Sequence, residues 1–230
     1  MKATSGLLDP RATAVLDRLH ARAKGDAWKM AARLPIFALR RLRGQTMFEA
    51  ATPELMKDIY IPIDPNKGRF LYLTARAIGA KTIVEFGTSF GISTIYLAAA
   101  VRDNGGGIVI GSEIEPSKVA KARENIAEAG LAEFVDVRLG DARETLISTP
   151  AQIDMVFLDG WQDLYVPVTQ VLTPNLRPGA VVFADNIFTF KKTLRPYVEF
   201  MQAPENGFVS TTLSMSDGFE YSVYLGSGRR

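Results

Sequence analysis

The chain has 230 residues, 47% of them hydrophobic and 23% charged, with no cysteine and a formal net charge of +2. That length supports one sizeable α/β core, and the composition excludes disulfides, a thiolate nucleophile and a cysteine-ligated metal. The small net charge gives no case for nucleic acid, no apolar run reaches the ~18–20 residues of a membrane span, and Met1–Pro10 lacks the apolar core of a signal peptide, so a cytoplasmic protein without a nucleic-acid or membrane partner is expected.

Charge is uneven along the chain. Residues 1–60 carry 11 Lys/Arg against 6 Asp/Glu, a net of +5, and the remainder is at −3. Val15, Leu16, Leu19, Ala23, Ala27 and Met30 recur at helical spacing, and Asp9-Pro10 is a start signal, so residues 11–34 are predicted helical. Gly25 is a candidate break between two helices. Ile36–Arg43 is a further short piece with the cluster Arg40, Arg41 and Arg43. That cluster reads as a solvated face or a dimer surface, and as an anion site only in the minority reading. Thr52-Pro53-Glu54 reads as an N-cap followed by Pro at the first helical position. Residues 1–60 are thus a helical N-terminal extension, and 61–230 the main domain of a single compact body. Ile61–Asn66, with two prolines, is a loop, and Lys67–Ile78 a helix.

Lys81–Val84 is a β-branched run with strand character. It leads through Glu85-Phe86-Gly87-Thr88-Ser89-Phe90-Gly91 into a helix starting near Ser93. Strand, glycine-rich turn and helix open an α/β nucleotide-type site. The spacing Glu-x-Gly-x-x-x-Gly is not that of a dinucleotide fingerprint. An acid at the strand end suits a ligand with a cationic amino group, which points to S-adenosylmethionine over NAD. A tight strand–helix turn without a ligand accounts for the motif equally well.

Strands are then predicted at Ile108–Glu113, Phe134–Leu139, Ile153–Leu158 and Ala180–Ala184. Helices are predicted at Pro116–Ala129, Ala142–Ile147 and Thr193–Met201. A partly helical stretch at Leu164–Leu176 is broken by Pro167 and Pro174. Phe208–Leu213 and Glu220–Leu225 flank a turn at Ser216-Asp217-Gly218 and pair as an antiparallel hairpin. Alternating strands and helices demand a mostly parallel sheet with helices on both faces. Acids follow strand after strand: Glu85, Glu113, Asp141, Asp159 and Asp185. Glu113 stands where an acid accepts from a ribose diol. Asp159, Asp185 and Asn186 are hard oxygen donors suited to Mg²⁺, although Asp185-Asn186 also fits an Asx turn or helix cap. His20 reads as a surface or core residue.

The stretch Met155–Tyr165 resembles the metal-binding segment of the catechol O-methyltransferases. Ala184-Asp185-Asn186, Glu85-x-Gly87, Glu113–Pro116 and Asp217–Glu220 resemble the same family in the same order, over about Ile61–Leu225. The resemblance, shared with caffeoyl-CoA O-methyltransferase-like proteins, implies a Rossmann-like class I S-adenosylmethionine-dependent O-methyltransferase with a seven-stranded sheet. It implies that Ile63 makes a backbone contact to the cofactor and that Glu85, Gly87, Ser89 and Ser93 hold its methionine end. Glu113 then takes the ribose, and Ile114, Gly140, Asp141, Ala142 and Trp161 surround the adenine. Asp159, which also faces the cofactor, joins Asp185 and Asn186 as ligand of Mg²⁺ or another divalent cation. The family's base, a lysine, is replaced by Gln162, which is neutral and cannot take a phenol proton. Its catechol-gripping acid falls at Thr211-Thr212-Leu213, where this chain has none. Asp163, Lys67 or a metal-bound hydroxide are substitute bases.

The expected function is methyl transfer to a hydroxyl of a small molecule. The alternatives are metal-independent transfer to another nucleophile and binding of the cofactor without transfer. The acceptor pocket is expected from the N-terminal helices, the Ile61–Asn66 loop, Trp161–Tyr165 and Phe188–Lys192. Phe188, Phe190, Trp161 and Tyr165 suggest an aromatic acceptor, or else core or dimer contacts. The helical extension predicts a homodimer.

Overall fold

Successive residues of the central strands face opposite sides of one sheet, and each side meets its own layer of helices. Ile83, Met155, Phe157, Val181 and Phe183 belong to one buried cluster, and Val84, Val156, Leu158, Val182 and Ala184 to a second. Because both faces are covered, the strands are apolar almost without interruption, as parallel sheets require. The computed structural model describes residues 9–45, 50, 52–60 and 62–226, and for residues 26, 27, 30 and 53 the backbone alone. The readings made for Met1–Leu8, Ile61 and the side chains of Ala27 and Met30 lie outside the described residues.

The strands are β1 (Thr82–Phe86), β2 (Ile108–Glu113), β3 (Val135–Leu139), β4 (Ile153–Leu158), β5 (Leu176–Asp185), β6 (Phe208–Leu213) and β7 (Phe219–Tyr224). They form one seven-stranded sheet in the order β3-β2-β1-β4-β5-β7-β6. β1 pairs in parallel with β2 and β4, and β4 with β5. β7 is antiparallel to both β5 and β6. The strand order reverses between β1 and β4, which opens a crevice at their carboxyl ends. The expected mostly parallel sheet with an antiparallel C-terminal hairpin is therefore present.

Between the strands run α3 (Pro65–Ala77), α4 (Ile92–Asp103), α5 (Pro116–Glu128), α6 (Ala142–Thr145), α7 (Tyr165–Leu172) and α8 (Lys191–Gln202). Pro167 does not break α7, because it falls in the first turn, where its missing N–H has no intrahelical partner to lose. α2 (Pro53–Met56) starts after Thr52, whose side chain makes no capping bond.

The N-terminal region departs from the two-helix reading. α1 runs unbroken from Pro10 to Leu42, through Gly25 and Pro35. Asp9 caps it, its Oδ1 accepting from Arg11 N at 2.8 Å. The first half is bolted to the body. Val15, Leu16 and Leu19 enter the core, each contributing roughly 1.5–3 kcal/mol by burial. Arg11 Nε donates to Glu128 O at 2.7 Å at the end of α5, and Arg18 pairs with Glu128 at 2.6 Å. The second half is held more lightly, by Phe37 in a small cluster with Met56 and Ile59 and by Arg33 on Asp58 at 2.7 Å.

Candidate functional site

A cavity of ≈ 530 Å³ opens at the carboxyl ends of the strands. Its wall at the β1–α4 turn is built by backbone geometry. Gly87 has φ +96°, and a Cβ there would stand 2.6 Å from the Asp159 carbonyl oxygen. Only glycine lets the end of β1 lie so close to the end of β4. Ser89 (φ +48°) and Asn186 (φ +68°) also hold left-handed backbone at this rim, a conformation that costs energy and concentrates at ligand sites. Ser89 N donates to Glu113 Oε2 at 2.8 Å, tying the turn to the tip of β2, while Glu113 Oε1 accepts from Glu115 N at 2.9 Å.

Most of the sequence-predicted residues come together here. Ile63, Gly87, Ser89, Ser93, Glu113, Ile114, Gly140, Asp141, Ala142, Asp159, Trp161, Gln162 and Asn186 all line the cavity. Asp141 caps α6 and pairs with Arg143 at 2.6 Å, which holds its carboxyl below the usual range.

Two residues stand behind the wall instead. Glu85 is fully buried and does not line the cavity. It accepts from Thr94 Oγ1 at 2.5 Å, and its Oε1 has no partner. Burial raises its pKa, and the hydroxyls of Ser93 and Thr94 offset part of that rise. Asp185 likewise does not line the cavity. Its Oδ1 meets the Lys67 ammonium, which also contacts Asp217 and donates to Gly218 O at 3.2 Å.

These carboxylates set the electrostatics. Burial, followed by Asp185 and Glu85, pushes Asp159 well above the usual carboxylate range, and Lys67 pulls it back in part. Asn186 Nδ2 donates to Asp159 Oδ1 at 2.8 Å. Burial lifts Asp185 to about 6 in spite of Lys67. Burial works against the Lys67 charge too, yet Asp185 and Asp217 outweigh it and hold its pKa above the ordinary lysine value. The geometry of the ion pair decides that both partners are charged at neutral pH. Lys67 is therefore unfit as the substitute base. Asp163 does not line the cavity.

Asn186 links the two acids, its backbone N donating to Asp185 Oδ1 at 2.6 Å and its Nδ2 to Asp159 Oδ1 at 2.8 Å; two carboxylates and an amide are residue types that fit a hard divalent cation with water completing its shell. The charges of Asp185 and Glu85, which add to burial in raising the Asp159 pKa, favour a cation beside it. Asp185, however, already shares its charge with Lys67. No group of three or more His, Cys, Asp and Glu suited to a metal occurs among the described residues.

The other wall is apolar. Leu34 and Phe37 of α1, Met56 of α2, and Phe90, Leu164 and Phe190 complete the cavity. Two expected pocket aromatics are elsewhere. Tyr165 is a core residue packed edge-on against Phe86 and Tyr197, and Phe188 is exposed, its ring and backbone beside Gly218. His20 does not line the cavity, and burial lowers its pKa. The sequence reading passed over Lys118. It lies over the Phe90 ring at 5.4 Å on the cavity wall, with its pKa lowered by burial. Its only signal was its place in the first turn after Pro116.

Comparison with known proteins agrees with this geometry. Residues 84–187 match the model of a methyltransferase domain. The chain is 37% identical over 138 residues to a catechol O-methyltransferase of Niastella koreensis, covering 58% of this chain and 62% of that one. It is 36% identical over 128 residues to a catechol O-methyltransferase of Mycobacterium tuberculosis, covering 55% and 57%. The match thus spans about three-fifths of the length of these relatives. The solved O-methyltransferase of Streptomyces achromogenes involved in tomaymycin synthesis, in complex with SAM, superposes with a TM-score of 0.68 at 28% identity, over 74% of this chain and 84% of that one. Sequence, sheet order and crevice together make this chain similar to methyltransferase domains, catechol O-methyltransferases among them, and give it the seven-stranded fold of the solved O-methyltransferases.

Proposed function

We propose that this chain is an S-adenosylmethionine-dependent O-methyltransferase whose acceptor is a small, flat, largely apolar molecule bearing a hydroxyl group. The observation that carries this reading is one cavity joining two unlike walls. The glycine turn, Glu113 and Gly140–Ala142 line it together with Leu34, Phe37, Met56 and Phe190. The first wall suits a nucleoside with an amino-acid tail. Glu113 keeps lone pairs for a ribose diol beyond its two backbone partners, Ile114 and Trp161 offer flat apolar contact to adenine, and Asp159 offers a carboxylate to a cationic group. The second wall excludes water and grips an aromatic ring. Holding donor and acceptor in line is itself a large part of methyl-transfer catalysis.

A divalent cation, Mg²⁺ foremost, would be held by Asp159, Asp185 and Asn186 and would supply Lewis-acid polarisation of the acceptor oxygen. Gln162, whose Nε2 donates to Gly160 O at 3.4 Å, orients groups at the cavity floor and moves no proton. A second reading, transfer without metal, is favoured by the contact of Lys67 with Asp185. Activity that survives EDTA separates it from the first.

Titration calorimetry with S-adenosylmethionine, followed by methyl transfer to a panel of phenols, tests the proposal. Saturable binding and a methylated phenol are expected. The absence of binding at high micromolar cofactor sinks the reading.

A further inference from the structure

The second half of α1 has two apolar sides. Phe37 and Leu34 serve the cavity. On the other side Trp28, Pro35, Leu39 and Leu42 follow one another at i, i+7, i+11 and i+14, one stripe of a helix. Nothing among the described residues covers them: Trp28 is 67% exposed, Leu39 51% and Leu42 85%. A surface of this kind on an otherwise well-packed body marks an interaction site.

The charges around the stripe say what it meets. Residues 21–45 carry seven Lys/Arg against one acid; Lys29 and Arg33 pair with Asp58 and Arg40 donates to Ala50 O, which leaves Arg22, Lys24, Arg41 and Arg43 as the exposed cations. Arg41 and Arg43 lie exposed at its C-terminal end. A second copy of the chain meeting this face across a two-fold axis would bring two such cationic flanks together. The charge complement is an anionic surface. Trp and Leu on one face with Arg beside them is the composition of a helix that lies in the interface plane of a bilayer, and basic residues add attraction to anionic lipid. No helix among the described residues is long and apolar enough to cross a membrane, so the contact is peripheral.

We infer that this chain docks on anionic bilayer surfaces through the exposed face of α1 between Trp28 and Arg43. This departs from the sequence-based expectation of no membrane partner, and it does not depend on the enzymatic reading. Docking would set the apolar wall of the cavity, built by the same helix, next to the lipid.

The test is co-sedimentation of the full chain with vesicles of phosphatidylcholine alone and of phosphatidylcholine with an equal share of phosphatidylglycerol. Binding to the anionic vesicles and little to the neutral ones is expected, with salt weakening it. Arg41→Gln with Arg43→Gln should weaken binding about tenfold or more, and Leu39→Glu with Leu42→Glu should abolish it. All four positions are exposed, so melting temperature should not change. Three results overturn the inference: no binding to either vesicle, equal binding to both, or a dimer by light scattering that Leu39→Glu with Leu42→Glu dissociates.

Discussion

Lys67 and Asp185 form an ion pair in which the lysine is fully buried and the aspartate side chain is 6% exposed. The same ammonium contacts Asp217 and lies 5.2 Å from the centroid of the Phe219 ring. A buried pair of this kind gains little over an apolar one, but removing one partner strands the other charge.

Lys67→Met should therefore destabilise the protein by roughly 3–5 kcal/mol, read as a fall in melting temperature on the order of 10 °C. Asp217→Asn should cost less than ~1 kcal/mol, because that side chain is 37% exposed and solvent screens it. The sign with pH follows from the raised lysine pKa. The stabilisation is complete below the ordinary value of 10.5 and is lost as pH climbs through the higher folded value. Melts across the alkaline range check both points.

Proton release should accompany cation binding at the cavity floor. Asp159 is held well above the usual carboxylate range by burial, Asp185 and Glu85, and Asp185 by burial at about 6. A cationic group binds the ionised forms, so affinity should rise with pH through this window. Calorimetry in buffers of different ionisation enthalpy should show protons released in mildly acid solution, with fewer released from Asp185 in mildly alkaline solution.

Gly87→Ala should abolish cofactor binding. Its backbone has φ +96°, and the added methyl would lie 2.6 Å from Asp159 O. The positive φ alone costs ~1–3 kcal/mol, and relief of the clash moves Asp159 away from the turn. Calorimetry with S-adenosylhomocysteine reads the loss.

Gln162→Ala should lower kcat by less than ~10-fold, since a general base is worth about 10²–10⁴ and a neutral amide supplies none of it. A larger loss would show that Gln162 positions the acceptor.

Phe37→Ala should raise KM for the acceptor and leave the affinity for S-adenosylhomocysteine unchanged. Phe37 lines the cavity from the α1 side and packs with Met56 and Ile59. Steady-state kinetics beside calorimetry separates the two effects.

The central strands β2, β4 and β5 were legible because each is a largely apolar run closed by an acid, Glu113, Asp159 or Asp185. Ile108–Glu113 and Phe208–Leu213 have the predicted bounds. α1 was misread because Gly25 looks like a break and Ile36–Arg43 was set apart as a separate piece, although the helix runs on through Pro35. Gly25 and Pro35 both sit on exposed positions of the helix, where a glycine costs only ~1 kcal/mol and tertiary contacts at either end hold the rest in line. The cavity wall at the strand tips was legible from local motifs, since spacing alone puts Gly87, Glu113 and Asp141 at neighbouring tips. The Lys67 contacts were not. They join residues 118 and 150 positions apart, and no local pattern records such a meeting. Nor does a pattern show that Glu85 and Asp185 stay out of the lining of the cavity that they help to charge.

The order β5-β7-β6 puts the last strand inside the sheet, next to the strand that ends in Asp185. Asp217, Gly218 and Phe219, which close around Lys67, come from the same final hairpin. The contacts around Lys67 therefore cannot be completed until that hairpin has been made. A nascent chain with β1 to β5 already synthesised still holds the Lys67 side chain without two of its partners and leaves an open edge on β5. Completion waits for a hairpin made 150 residues after Lys67, and a chain cut short before that hairpin, however much of the glycine turn it carries, should be cleared by proteolysis.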